Sequence, residues 1–194
     1  MNKVKYIGLD ISTSIIGIAF LDRLGYLVNL ESVNLKKLSC IFNKSNKTRE
    51  AFTIFFKKYS FEEDLIIVIE EPFQAFSRGF SSAKTLSQLN RFNGIVSYIA
   101  AEVYSVVPSY INVNSARKSL GIKINKKLDV NTKEQVFKWV KSDFSSRGFE
   151  FNWPEKILKS GPNKGLVKFD DCCYDMSDAY VISKAAIYNE HNIN

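Results

Sequence analysis

The chain has 194 residues, 45% of them hydrophobic and 24% charged, which supports one packed domain and argues against a disordered chain. A net charge of +7 at pH 7 points to an anionic partner, nucleic acid first. Cys40, Cys172 and Cys173 form neither a disulfide framework nor a zinc-spaced pair, the start reads directly into a strand, and no apolar run approaches the ~18 residues of a membrane span. Reduced thiols, a cytoplasmic location and no membrane association are therefore expected.

The elements follow in order. Residues 4–9, rich in β-branched and aromatic side chains and closed by Asp10, read as a first strand. The polar turn Ser12-Thr13-Ser14 leads to a second strand at 15–21, and Asp22-Arg23-Leu24-Gly25 turns into a third at 26–35. Short turns between consecutive strands make an antiparallel meander. Phe52, Phe55, Phe56 and Tyr59 share one helical face. The unbroken apolar run 65–69, closed by Glu70 and Glu71, suits a strand covered on both faces.

Residues 73–82 read as a polar loop. A long helix follows over 86–104, with Leu89, Phe92, Val96, Ile99 and Val103 along one stripe. A fifth strand is expected at 110–113. Asn131 with Glu134 resembles a capping box that opens the next helix, which carries Val136, Phe137 and Val140. The pattern breaks up between Asp143 and Asp171, where Pro154, Gly161, Pro162 and Gly165 fall, and a last helix covers about 174–188. The expected architecture is an α/β domain over 1–194 with a mixed five-stranded sheet, three antiparallel strands then two parallel, flanked by helices. A surface excursion is expected at about 143–173. No Gly-rich phosphate fingerprint is present, so no nucleotide cofactor is expected.

Four acids stand out by position. Asp10 and Glu70 end buried strands, and ligands of α/β sheets gather beyond such ends. Asp175 and Asp178 open the last helix on one face, which continues through Ile182, Ala185 and Ala186 and should pack on the sheet. Carboxylates converging without matching cations are ligand chemistry for Mg²⁺ or Mn²⁺. Each acid alone also has an ordinary reading, as a turn opener, a solvated strand end or a helix N-terminal charge. Glu71 could replace Glu70, since a strand alternates its faces, and Asp171 stands four residues before Asp175.

The segment Ile7-Gly8-Leu9-Asp10-Ile11-Ser12-Thr13-Ser14 resembles the first motif of RuvC-type resolvases, which belong to the ribonuclease H-like superfamily. Ile69-Glu70-Glu71-Pro72-Phe73 resembles their second motif, and Asp175-Met176-Ser177-Asp178-Ala179 their closing D-x-x-D-A motif. The three lie in the family's order across nearly the whole chain. The resemblance implies a ribonuclease H-like fold and a Mg²⁺-dependent endonuclease, with Mn²⁺ able to substitute, that cuts four-way Holliday junctions or other branched DNA in recombination and repair. It implies that Asp10, Glu70, Asp175 and Asp178 hold two metal ions, and it selects Glu70 over Glu71 and the 175/178 pair over Asp171.

It further implies that Phe73 enters the junction centre, with Arg78 and Lys84 alongside. Arg117, Lys118, Lys123, Lys126, Lys127 and Lys133 would contact phosphates, and the enzyme would be a homodimer. The Asn/Lys-rich composition suggests a phage or viral branch, hence a bacterial host's cytoplasm. The single histidine, His191, lies near the end of the sequence, so a histidine base is not expected. A less specific nuclease acting on flaps, hybrids or single strands would use the same carboxylates. A non-catalytic DNA-binding module on a decayed nuclease fold is the other rival, while a sugar-kinase or actin-like ATPase needs a longer, duplicated chain.

Overall fold

The computed structural model describes residues 3–72 and 83–193. Three strands open it: β1 (Val4–Ile11), β2 (Ile15–Leu21) and β3 (Leu27–Asn34). Ser12 makes the first turn tight, its Oγ accepting the N–H groups of Ser14 and Ile15 and donating to the Ile15 carbonyl. Helix α1 (Ile41–Lys58) leads to β4 (Phe61–Glu70), then α2 (Ala83–Tyr104) and β5 (Ser109–Ile111). Next come α3 (Val113–Ser119), α4 (Thr132–Ser146), a ribbon of β6 (Glu155–Ile157) and β7 (Val167–Phe169), and α5 (Cys172–Ile193).

The five-stranded sheet runs β3-β2-β1-β4-β5. The meander is antiparallel, and β4 and β5 add to it parallel to β1. The expected mixed sheet is therefore present, with the meander's first strand at the centre of the sheet. β1 and β2 are buried along their whole length because helices cover both faces. On one face Ile7, Leu9, Ile67 and Ile69 pack with Phe52, Phe92 and Val96 of α1 and α2. On the other, Tyr6 and Ala19 pack with Val136, Phe137 and Tyr180 of α4 and α5. Each fully buried Leu, Ile or Phe contributes roughly 1.5–3 kcal/mol.

Three local expectations change. The fifth strand stops at Ile111 because the Asn112 side chain accepts from the N–H groups of Asn114 and Ser115 and caps α3, a helix the sequence did not announce. Phe56 leaves the expected apolar face and stands 46% exposed, stacked on Phe61 beside the strand instead. The 143–173 stretch is partly regular, since α4 runs to Ser146 and β6 pairs with β7. The α4 cap is as anticipated, with Asn131 Oδ1 accepting from the Glu134 N–H at 2.9 Å. Among the described residues no helix is long and apolar enough to cross a membrane.

Candidate functional site

Parallel pairing of β1 with β4 sets Leu9 beside Ile69, so Asp10 and Glu70 follow as lateral neighbours at the same end of the sheet. Strands lie about 4.8 Å apart and alternate faces, so both carboxylates share the face that α5 covers. Two glycines let α5 settle there. A Cβ on Gly17 would stand 2.0 Å from the Asp175 carbonyl oxygen, and one on Gly8 2.2 Å from that of Ala179. Gly17 is the β2 partner of Asp10. The backbone contact that seats the helix thus also fixes the height of Asp175 above Asp10. The line of α5 that meets the sheet runs through Asp175, Ala179 and Ser183, rotated slightly from the stripe read off the sequence.

Asp10, Asp175 and Asp178 are buried, and Glu70 is half-buried. A cleft of about 280 Å³ is lined by Asp10, Glu70 and Asp178, with Ser12, Glu71, Arg117 and Lys133 among others, while Asp175 lies behind its wall, reached through its pair with Lys133. The expectation of carboxylates without matching cations is corrected here. Arg117 Nη2 donates to Asp178 Oδ1 at 2.9 Å, and Lys133 Nζ to Asp175 Oδ1 at 2.9 Å. Capping of α3 by Asn112 and of α4 by Asn131 places both cations at the acids rather than with the rest of the basic stretch, Arg117 largely buried and Lys133 half-exposed at the rim. Arg117 Nε is buried without a hydrogen-bond partner.

Two cations do not neutralise the acids they face. Burial, and after it the charges of Asp178, Glu70 and Asp175, hold the Asp10 carboxyl well above the ordinary carboxylate range. Burial and Asp178 raise Glu70 in the same direction, against a hydrogen bond from Asp10. Burial raises Asp175 despite its pair with Lys133. Burial and mutual repulsion disfavour the charged forms of these acids, and all-oxygen donors of this kind suit a hard divalent cation. As they stand, no three His, Cys, Asp or Glu side chains among the described residues are arranged to hold a metal ion.

The remaining expected residues are more dispersed. Lys84 is exposed at the start of α2, Lys118 is exposed in the last turn of α3, and Lys123, Lys126 and Lys127 are exposed between α3 and α4. Phe73 and Arg78 lie outside the described residues, as does the His191 side chain. Glu71 also lines the cleft, its backbone N–H donating to the Ile111 carbonyl. Asp171 stands apart, held down to about 2 by hydrogen bonds from Lys156 and Lys36. The sequence reading passed over Asn93, which is buried on α2 and lines the cleft. Its signal was a lone amide beside Phe92 on the apolar stripe.

No family model matches the chain, and no curated protein matches it in sequence. Solved structures do match. Thermus thermophilus RuvC in complex with Holliday junction substrate is 15% identical, with 96% of this chain and 94% of that chain covered at a TM-score of 0.61. A second Thermus thermophilus RuvC structure is 15% identical, covering 96% of each chain at a TM-score of 0.56. The yeast mitochondrial Holliday junction resolvase Ydc2 is 12% identical, with 99% of this chain and 81% of that chain covered at a TM-score of 0.60. The fold is therefore that of the RuvC-type resolvases, over nearly the whole chain.

Proposed function

We propose that this chain, with its RuvC-type fold, is a structure-selective endonuclease that hydrolyses phosphodiester bonds in four-way or other branched DNA. One observation carries the reading: acids from two strand ends and the opening of one buried helix are drawn into a single cleft by glycine-mediated seating of that helix on the sheet. Burying surplus like charge is expensive unless the site awaits a counterion. Asp10, Glu70, Asp175 and Asp178 are the residues that would hold it. Two divalent ions, Mg²⁺ or Mn²⁺, would supply water activation and neutralise the charge on the leaving oxygen.

The chain's own residues do the rest. Arg117 and Lys133 keep Asp178 and Asp175 oriented before DNA binds and carry donors suited to phosphate oxygens at the cleft wall. The second oxygens of these carboxylates stay available, since each pair uses one. Low solvent access around Asp10 strengthens every charge interaction at that end of the sheet. Exposed Lys84, Lys118, Lys123, Lys126 and Lys127, together with Phe73 and Arg78, are the proposed contacts to the DNA arms, reading backbone rather than sequence. A homodimer would supply two such clefts for paired cuts across a symmetric junction.

The test is cleavage of a mobile four-way junction, a flap and an RNA–DNA hybrid at equal concentration, with Mg²⁺ and with EDTA, mapped to the nucleotide. Paired symmetric nicks confined to the junction and abolished by EDTA are expected. Equal cutting of all three would leave a less specific nuclease, and cutting unaffected by Asp10→Asn would remove the acid cleft from the chemistry.

A further inference from the structure

A second cleft, of about 260 Å³, adjoins the acidic one and has the opposite charge. Among the described residues it is lined by Thr13, Ser39, Lys44, Gln88 and Arg91, together with two apolar residues and no acid. Lys44 Nζ donates to the Thr13 carbonyl at 2.6 Å, which spends one of its three N–H bonds and holds the ammonium at the rim. Arg91 makes no ion pair among the described residues, whereas Arg49, on the same α1–α2 seam, is paired with Glu102 at 2.6 Å.

The two clefts share a wall. Ser12 lines the acidic one and Thr13 the basic one. On α2, Leu89 and Asn93 face the first, while Gln88 and Phe92 face the second. Successive helical residues point about 100° apart, so one turn of α2 and the tip of the β1–β2 turn form a ridge with a cleft on each flank. A polyanion crossing that ridge meets alternating demands: a site crowded with carboxylates on one side and Arg91 and Lys44 with hydroxyl donors on the other.

We infer that the basic cleft is a binding site for a backbone phosphate of the bound strand, one linkage from the phosphate that enters the acidic cleft. The inference rests on the nuclease reading for its substrate and adds to it the site that sets the strand's register. Arg91 and Lys44 neutralise the phosphate, and the Thr13 and Ser39 hydroxyls donate to its oxygens. None of these side chains touches the reacting atoms, so they are positioning residues. They hold the strand so that only one phosphodiester lies over Asp10 and Glu70.

Neutral linkages test this directly. Junctions carrying a single methylphosphonate at successive positions around the mapped cut are bound by wild type and by Arg91→Gln in metal-free buffer, across a range of salt. For wild type, one position beside the cut should weaken binding about tenfold, the effect of losing one charged hydrogen-bonded contact. Arg91→Gln should weaken binding of the unmodified junction by about the same factor and show no further loss at that position. Its slope of log K against log salt should fall by about one. Arg91→Lys should restore part of both.

A wild-type response spread evenly over all positions, or losses that multiply in Arg91→Gln, would overturn the subsite. So would competition by inorganic phosphate without any positional effect, which would mark a free-anion site instead. Wild type that cuts junctions but shows either pattern sinks the subsite alone. Wild type that neither binds nor cuts branched DNA sinks the nuclease reading and the subsite with it.

Discussion

Helix α5 and the β6–β7 ribbon meet at Asp171, yet they are attached to the molecule in opposite ways. α5 lies backbone against backbone on β1 and β2 through Gly8 and Gly17, with Tyr180, Val181 and Ile182 fully buried. The ribbon consists of two three-residue strands whose Ile157 and Val167 are 64% and 58% exposed. Lys156 faces Lys168 across it, a like-charge pair that weakens a two-stranded ladder, and Asp171 pairs with Lys156 beside it. Gly161 and Gly165 in its connection have open space where a side chain would go. The ribbon is tied down mainly where Phe169 and Trp153 pack on Phe137. The contrast separates a helix seated by close backbone approach from a ribbon held mainly by a few aromatic side chains.

Substituting the seat should do the most damage. Gly17→Ala forces a methyl group into the Asp175 backbone and should cost about 3 kcal/mol or more. At roughly 2–4 °C per kcal/mol for a chain this long, Tm should fall by about 10 °C, and cleavage should be lost with it. A variant that melts like wild type would show that the helix is not held as tightly as the glycines imply.

Asp10→Asn separates seat from charge. It should abolish Mg²⁺-dependent cutting while leaving junction binding intact. In metal-free buffer near pH 7 it should also raise Tm by a few degrees, because it removes a charge whose ionisation the folded state resists. A lower Tm would mean that Asp10 stabilises the fold as an anion.

The sign of the pH dependence follows from the same groups. Asp10, Glu70 and Asp175 are all raised in the folded state. Below the ordinary carboxylate range both states hold these protons and the stabilisation is fully present. It is lost as pH rises through the raised folded values, where the folded chain must give them up. Metal-free protein should therefore melt lower at pH 8 than at pH 5.5. Added Mg²⁺ should recover stability at pH 8 by binding the folded state alone. Thermal melts at both pH values, with and without Mg²⁺, check this, and a Tm indifferent to Mg²⁺ would count against a metal at this cleft.

The smallest effect should come from the ribbon. Gly161 has φ of +79°, so Gly161→Ala should cost about 1 kcal/mol from backbone strain alone, with junction cleavage in Mg²⁺ unchanged. A larger loss would join the ribbon to the site after all.

Much of this was legible in one dimension. Strand period, apolar stripes and turn residues record which faces are buried, so the meander, α1, α2, α4 and α5 could be read locally. Asp10 stands out locally as an acid closing a buried strand, whereas the strand pattern alone leaves Glu70 and Glu71 as alternatives and the resemblance to the second motif selects Glu70. The seven-residue α3 carried no periodic signal, and only Asn112 marked its start. The pairs Arg117–Asp178 and Lys133–Asp175 join residues 61 and 42 positions apart, and nothing local to either partner announces the other.

By itself the sequence determined that acids stand at the ends of buried elements, since hydrophobic patterning and strand length are local properties. Only the tertiary structure decided how they meet. Gly8 and Gly17 read as ordinary small residues until a helix lies on them, and the charge balance of the cleft depends on cations delivered by other elements. Contacts made by backbone approach and by distant ion pairs depend on where segments cross in space, and residue order alone does not contain that.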